Sequence, residues 1–146
     1  MVIKYKIKKV TLKLLKSQFI TFYPHLKHKK LQIIKPNAYI GYAYDNRKII
    51  ATLIFSELID LPFIWQLERI SVIGGYLRKC VGSNLLRLVE EKIIRENGKK
   101  ILVFVSKTNK IAQKFYKKNK YKKEAKIKNL KMGKEDMFIY TKEILQ

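Results

Sequence analysis

The sequence predicts a mixed α/β (α+β) domain in which a mostly antiparallel sheet is flanked by helices. Three observations lead there. Residues 38–55 hold two strand-like runs joined by the turn signal Asp45-Asn46-Arg47. Residues 83–96 form an amphipathic helix between a strand at 64–73 and an apolar, strand-like run at 101–105, the pattern of a strand–helix–strand crossover. A length of 146 residues suits one domain, 1–146, with an ordinary core.

The elements follow in order. Residues 2–8 alternate, with Ile3, Tyr5 and Ile7 on one face and Val2, Lys4 and Lys6 on the other, as in a half-exposed strand. Leu12, Leu15, Phe19, Ile20 and Tyr23 follow helical spacing, with Thr11 as a cap and Pro24 as a stop. A short helix is expected over His25–Leu31. Strands follow at Ala38–Tyr44, Lys48–Phe55 and Ile64–Ile73, the last ending at Gly74-Gly75. In the helix 83–96, Leu85, Leu86, Leu88, Val89 and Ile93 make the apolar face, Glu90, Glu91 and Arg95 the polar one, and Asn97-Gly98 the close. A strand over 101–105 leads to a helix over 109–118, and final strands are expected at Tyr121–Ile127 and Met137–Ile144.

Composition narrows the function classes. No apolar run reaches the ~18 residues of a membrane span. The start lacks the apolar stretch of a signal peptide, so a cytoplasmic protein that does not enter the membrane is expected. Cys80 is the single cysteine, which excludes an internal disulfide, and two histidines without a Cys or carboxylate cluster speak against a metal. Charge is the unusual quantity: 33 basic against 11 acidic residues, net +22. Residues 1–35 carry ten Lys and no acid, and residues 107–134 twelve Lys against Glu124 alone. Such a field attracts polyanions. The same Lys, Ile, Asn and Tyr excess is also what A/T-rich codon usage produces, so charge alone leaves the partner open.

The most informative segment is Asn109-Lys-Ile-Ala-Gln-Lys-Phe-Tyr116, directly after the apolar strand 101–105. A strand feeding a helix with a polar first residue and a Tyr on its second turn can deliver both groups to one cleft. Upstream, residues 67–86 read LERISVIGGYLRKCVGSNLL, a strand running through a turn into a helix start. Such a turn aims backbone N–H groups and the positive end of the helix dipole at one point, a ready anion site.

Together these segments resemble the two signatures of the GNAT superfamily, the acyl-CoA-dependent N-acyltransferases. The octet is similar to N-x-x-A-x-x-F-Y. The upstream segment is similar to V-x-P-x-Y followed by R/Q-x-x-G-x-G/A, with Val72 at the strand-end Val, Tyr76 at the aromatic, Gly82 at the final Gly and Ser83 opening the helix. Three positions depart from it. Leu77 replaces the leading Arg or Gln, Arg78 stands where Gly is common, and Cys80 replaces the middle Gly, whose freedom of dihedral and close backbone approach suit a phosphate loop. After the helix, Lys120 and Tyr121 stand where the family has Gly and Phe, and Asn119 is expected to take the left-handed position.

The resemblance implies a GNAT-like domain whose central strands splay into a cleft for acetyl-CoA. It places Ile70, Ser71, Val72, Arg78, Lys79, Cys80, Val81, Gly82, Ser83, Asn109 and Tyr116 on that cofactor. Asn109 would bond the pantetheine arm and Tyr116 would protonate the departing thiolate, a role open to a phenol with an ordinary pKa of ~10. Glu68, on one strand face with Ile70 and Val72, is the candidate base. Plainer readings stand beside these: Asn109 as a helix cap, Tyr116 as core, Glu68 as a surface ion-pair partner, Cys80 as a small structural residue, and His25 and His28 as solvated. Phe104 fills the position of the base in members that acetylate protein N-termini, which speaks against that subclass.

The expected function is transfer of an acetyl group to a primary amine of a small molecule or protein, an anionic acceptor being favoured by charge. No covalent enzyme intermediate and no metal are required. The alternative is a catalytically inactive GNAT-like module that holds nucleic acid through its Lys-rich ends. A monomer or homodimer is expected.

Overall fold

The structure is a computed structural model that describes residues 2–11 and 37–144. Its elements run β1 (Ile3–Lys9), β2 (Ala38–Asp45), β3 (Lys48–Leu58), β4 (Leu61–Val72), a 3-10 turn (Gly74–Tyr76), α1 (Val81–Arg95), β5 (Lys100–Ser106), α2 (Lys110–Lys118), β6 (Lys122–Lys131) and β7 (Glu135–Glu143). Seven strands form one mixed, open sheet in the order β1-β2-β3-β4-β5-β7-β6. The fold is the α+β arrangement expected from the sequence. The helices expected over 11–23 and 25–31, with His25 and His28, lie outside the described residues save for Thr11. None of the described helices is long and apolar enough to cross a membrane.

Two units make up the chain: Met1–Ser56 with Arg69–Val89, and Glu57–Glu68 with Glu90–Gln146. In the first, β1 pairs antiparallel with β2 from Ile3↔Asp45 to Lys9↔Tyr39. Strand β2 pairs antiparallel with β3 around a tight Asn46-Arg47 turn, Asp45 facing Lys48. Asn46 closes that turn at φ 55°, a left-handed conformation that Asn tolerates better than most residues. Along β1 the alternation is as the sequence reads: Ile3, Tyr5 and Ile7 are half-buried, Lys4, Lys6 and Lys8 exposed. Helix α1 packs on β2 at Gly41, where an added Cβ would lie 3.0 Å from Val89 Cγ2 and 3.2 Å from Leu85 Cδ1. The glycine therefore sets a close helix–sheet approach.

In the second unit, β4 and β5 pair in parallel over Ile64↔Lys100 to Leu67↔Val103. A parallel pair needs a crossover, and α1 supplies it. Both strands continue past their last pair, β4 to Val72 and β5 to Ser106. Strand β7 pairs antiparallel with β5 along its whole length. Strand β6 pairs antiparallel with β7, with irregularities between Lys123 and Ala125 and between Ile127 and Lys131. Helix α1 ends as Asn97-Gly98 predicts. The Gly98 amide bonds Ile93 O at 2.9 Å, the Asn97 amide bonds Ile94 O at 3.0 Å, and Asn97 sits at φ 61°. These are the two bonds of a Schellman cap.

The helix bounds carry one correction. Helix α1 begins at Val81, so Ser83 lies within its first turn and does not open it. The Asn84 amide donates the first ladder bond, 2.9 Å, to Cys80 O. A helix needs no apolar residue or side-chain cap to start once the preceding residue aims its carbonyl along the axis, and Cys80 does that from a left-handed conformation, which spacing alone does not reveal.

Candidate active site

The first candidate segment is the turn between β4 and α1. Ile73 is tied back to β3 by its amide, which donates to Ile50 O at 3.0 Å. The 3-10 turn closes with the Tyr76 amide on Ile73 O, 2.9 Å. Tyr76 then fixes the turn to the β2–β3 hairpin: its hydroxyl donates to Asp45 Oδ2 at 2.8 Å. That bond, with burial and the Asp45 charge adding, raises the phenol's pKa and keeps it a donor. Lys79 Nζ lies 5.6 Å from the centre of the Tyr76 ring.

Arg78 and Cys80 both sit at φ 59°. These positions depart from the Gly-bearing pattern, yet both adopt the left-handed conformation that Gly would take without cost. An L-residue there costs roughly 1–2 kcal/mol. The chain accepts the strain, and the turn enters α1 with the amides of Val81, Gly82 and Ser83 ahead of the first ladder bond from Asn84. No acidic residue lies in the first turn of α1. Arg78 and Lys79 are exposed beside it. An N-terminal amide cluster, a helix dipole and two cations fit a pyrophosphate. Ile70, Ser71 and Val72 are half-buried on the strand that leads into this turn. The Cys80 thiol is exposed and free.

The second candidate segment is the β5–α2 junction. Asn109 is the N-cap of α2, its side-chain oxygen accepting the Ala112 amide at 3.1 Å. Its capping role is thus realised, and the side-chain NH2 is the part left to meet a ligand. Gln113 and Tyr116 are the buried residues of α2. Gln113 received no role from the sequence, although it lies inside the octet. It is 7% exposed, and its Nε2 donates to Ser106 O at 3.1 Å and Lys107 O at 2.9 Å. A buried amide bonded twice to the backbone locks the strand-to-helix turn that carries Asn109. Its one legible signal was a polar residue on the buried face, one turn from Asn109 and one from Tyr116.

Ser106 and Thr108 brace the same turn from outside. Both hydroxyls donate to Glu135 of β7, the Thr108 bond at 2.8 Å. These bonds, with the Lys131 charge adding less, hold the Glu135 carboxyl below its ordinary pKa against a small opposing cost of burial. Glu135 was also missed, since nothing local links it to residues about thirty positions earlier.

Tyr116 is 3% exposed and packs edge-on against Phe115 and Tyr121, with ring centres at 5.2 and 5.4 Å. Helix α2 ends in a second Schellman cap, with the Tyr121 amide on Tyr116 O at 2.9 Å and the Lys120 amide on Lys117 O at 3.1 Å. Here the expectation for Asn119 is corrected: Asn119 keeps φ −90° and Lys120 takes the left-handed position at φ 71°. The Asn119 side chain is used instead to bond Phe115 O at 2.9 Å. Tyr121 anchors the cap by donating to Glu90 at 3.0 Å, and Lys142 holds the other oxygen of that carboxylate at 2.8 Å. Burial first, and Glu90 second, push the Tyr121 hydroxyl well above its ordinary pKa, so it stays a donor.

Glu68 is half-buried on β4, one residue beyond the last pair with β5. Phe104, half-buried on β5, brings no ionisable group five residues before Asn109. Among the described residues no cluster of three or more His, Cys, Asp or Glu could hold a metal.

Comparison with known proteins bears on the family and the fold. The model of the acetyltransferase (GNAT) family matches residues 9–121. No curated protein matches the sequence. Among solved structures, a GNAT-family protein from Desulfovibrio desulfuricans superposes with a TM-score of 0.80 at 15% identity, over 99% of this chain and 100% of that one. An acetyltransferase from Bacillus subtilis, solved with CoA bound, gives 0.75 at 13% identity over 99% and 100%. The ribosomal-protein-S18-alanine N-acetyltransferase of Escherichia coli gives 0.73 at 16% identity over 98% and 96%. At these identities the likeness is one of fold.

Proposed function

The chain belongs to the acetyltransferase (GNAT) family, and on that premise we propose that it transfers an acetyl group from acetyl-CoA directly to a primary amine. One observation carries the reading. Arg78 and Cys80 take the left-handed backbone that their departure from Gly would otherwise put at risk. The turn thus keeps its entry into the helix N-terminus, with amides and two cations available for the cofactor's phosphates.

Acetyl-CoA supplies the acyl group as an activated thioester. In this reading the turn over Arg78, Lys79, Cys80, Val81, Gly82 and Ser83 holds the pyrophosphate, and the backbone of Ile70, Ser71 and Val72 lines the pantetheine arm. Asn109 bonds that arm with the side-chain NH2 its capping oxygen leaves over. Tyr116, held among aromatic rings, gives a proton to the leaving thiolate, and Glu68 takes one from the amine, directly or through water. Binding both reactants side by side supplies proximity, so no enzyme nucleophile is needed and Cys80 has no covalent role. Net charge favours an anionic acceptor, and Phe104 in place of a base disfavours protein N-termini.

Calorimetric titration with acetyl-CoA tests the reading, beside a Tyr116→Phe variant. Micromolar binding by both, with amine-dependent CoA release by the wild type alone, is expected. No binding up to millimolar ligand would retire the acetyl-transfer reading and leave an inactive module of the same fold.

A further inference from the structure

Twelve lysines lie between residues 107 and 134, and all are exposed. Lys131 has a carboxylate partner, Glu135 at 3.7 Å; among the described residues the other eleven have none. Elsewhere some cations are paired, Lys92 with Glu96, Lys100 with Glu124 and Lys142 with Glu90, whereas β1 carries Lys4, Lys6, Lys8 and Lys9 with no acid on the strand. Codon bias acts on every exposed position alike, yet α1 stays near balance, with Arg87, Lys92 and Arg95 against Glu90 and Glu91. Helix α2 carries Lys110, Lys114, Lys117 and Lys118 with no acid. Strand β6 carries Lys122, Lys123, Lys126, Lys128 and Lys131 against Glu124, which is engaged by Lys100 at 3.0 Å. Of the two Lys-rich segments this is the denser, twelve Lys against one Glu in 28 residues, and such self-repulsion disfavours the fold unless an anion relieves it.

The shape of this face narrows the anion. Strand β6 is the last strand of the sheet. A second copy pairing there would set lysine against lysine, a guard that edge strands use against protein partners. Within the field lies a groove of about 380 Å³ lined by Lys107, Lys123, Lys126, Glu124, Ala125 and Phe138, with Lys123 Nζ 4.3 Å from the Phe138 ring centre. Three ammonium groups without a carboxylate partner around one concavity suit a phosphate. Ten residues of β6 span about 33 Å, close to the axial length of one duplex turn, about 34 Å. No arginine occurs between 107 and 134, and lysine acts as a point charge on phosphate where bidentate base reading favours arginine. Stacking of unpaired bases needs exposed rings, whereas Tyr116 and Tyr121 are buried and Phe115 is half-buried. A membrane would engage the exposed Leu130 and Met132 at the hairpin tip. Most of the lysines lie away from that tip, on α2 and the first half of β6.

From this we infer that the Lys-rich face of α2 and β6 is a docking surface for a nucleic-acid duplex. It holds the phosphate backbone without reading sequence and is centred on the groove between Lys107, Lys123 and Lys126. The inference is independent of acetyl transfer.

The test uses fluorescence anisotropy of the full chain with a labelled 20-base-pair duplex, as DNA and as RNA, over a salt series. Four neutralised phosphates give a slope of log K against log salt near about −3.6. Lys123→Glu with Lys126→Glu should lower affinity at least about tenfold and make the slope shallower by roughly 1.8. The same two reversals on β1, Lys4→Glu with Lys6→Glu, should leave the slope unchanged. Melting curves for both double variants establish that they fold, and acetyl-CoA titration that they keep the cofactor. Equal losses from the two pairs would reduce the effect to net charge and overturn the proposal. Displacement of the duplex by phosphatidylserine vesicles at matched charge would also overturn it, in favour of a membrane.

Discussion

Replacing Cys80 by glycine should make this protein more stable. Cys80 sits at φ 59°, and its side chain is exposed, so truncation removes little packing. The left-handed conformation costs an L-residue roughly 1–2 kcal/mol that glycine does not incur. Against that, glycine enlarges the conformational freedom of the unfolded chain, a loss of about 0.4–1 kcal/mol. The balance lies between about 0 and about 1.6 kcal/mol, with a gain of about 0.8 kcal/mol at the middle of both ranges. For a domain of this size 1 kcal/mol moves Tm by about 2–4 °C, so a rise of about 2–3 °C is expected. Cys80→Ala is the control, because it keeps the Cβ and with it the strain; its Tm should stay within about 1 °C of the wild type. Thermal denaturation followed by circular dichroism, under reducing conditions, reads both. A Tm unchanged or lowered in the glycine variant, or raised as much by alanine, would refute the claim that this turn stores strain. Acetyl-CoA affinity measured on the same samples links the result to function. If the turn holds the pyrophosphate, the glycine variant should bind at least as tightly as the wild type, its backbone being the same and its strain relieved.

Three further outcomes follow from the same geometry. Asn109→Ala should cost about 1 kcal/mol by loss of the α2 cap, while Asn109→Ser keeps a capping oxygen and most of the stability; a Ser variant that melts normally yet binds acetyl-CoA at least about tenfold more weakly would separate ligand contact from capping. Gly98→Ala places a Cβ 2.3 Å from Ile93 Cγ2 and 2.9 Å from Ile93 O, so a loss of about 1–3 kcal/mol is expected in denaturant unfolding, and a neutral result would contradict the packing around Trp65 and Ile93. Glu96, Glu124 and Glu135 have pKa values lowered below their ordinary 4.5, by Lys92, by Thr141 with Lys100, and by Ser106 with Thr108 respectively. Because the folded values are the lower ones, this stabilisation is present above about pH 4.5 and is lost as pH falls through them. Tm should therefore be flat from about pH 5 to 7 and drop below, less steeply in Glu135→Gln.

The sequence alone determined what depends on neighbours along the chain. Alternation identified β1, period and an Asn-Gly close identified α1, and the octet placed Asn109 at a helix start, because each is a short-range pattern that burial or capping enforces directly. The α1 crossover was legible for the same reason: an amphipathic helix between two strand-like segments has few ways to bury its face. What only the tertiary structure decided rests on partners far apart in sequence or on backbone strain. That α1 begins at Val81, and that Lys120 rather than Asn119 turns left-handed, depends on surroundings able to hold an L-residue at positive φ, here Tyr76 fixed on Asp45 and Tyr121 fixed on Glu90. The bracing of the Asn109 turn by Gln113 and Glu135 was hidden likewise, since one bonds only backbone and the other comes from the next hairpin. The lysine count was plain in the sequence, but not that eleven of the twelve between 107 and 134 have no carboxylate partner among the described residues: an ion pair is a distance, and distance is what folding supplies.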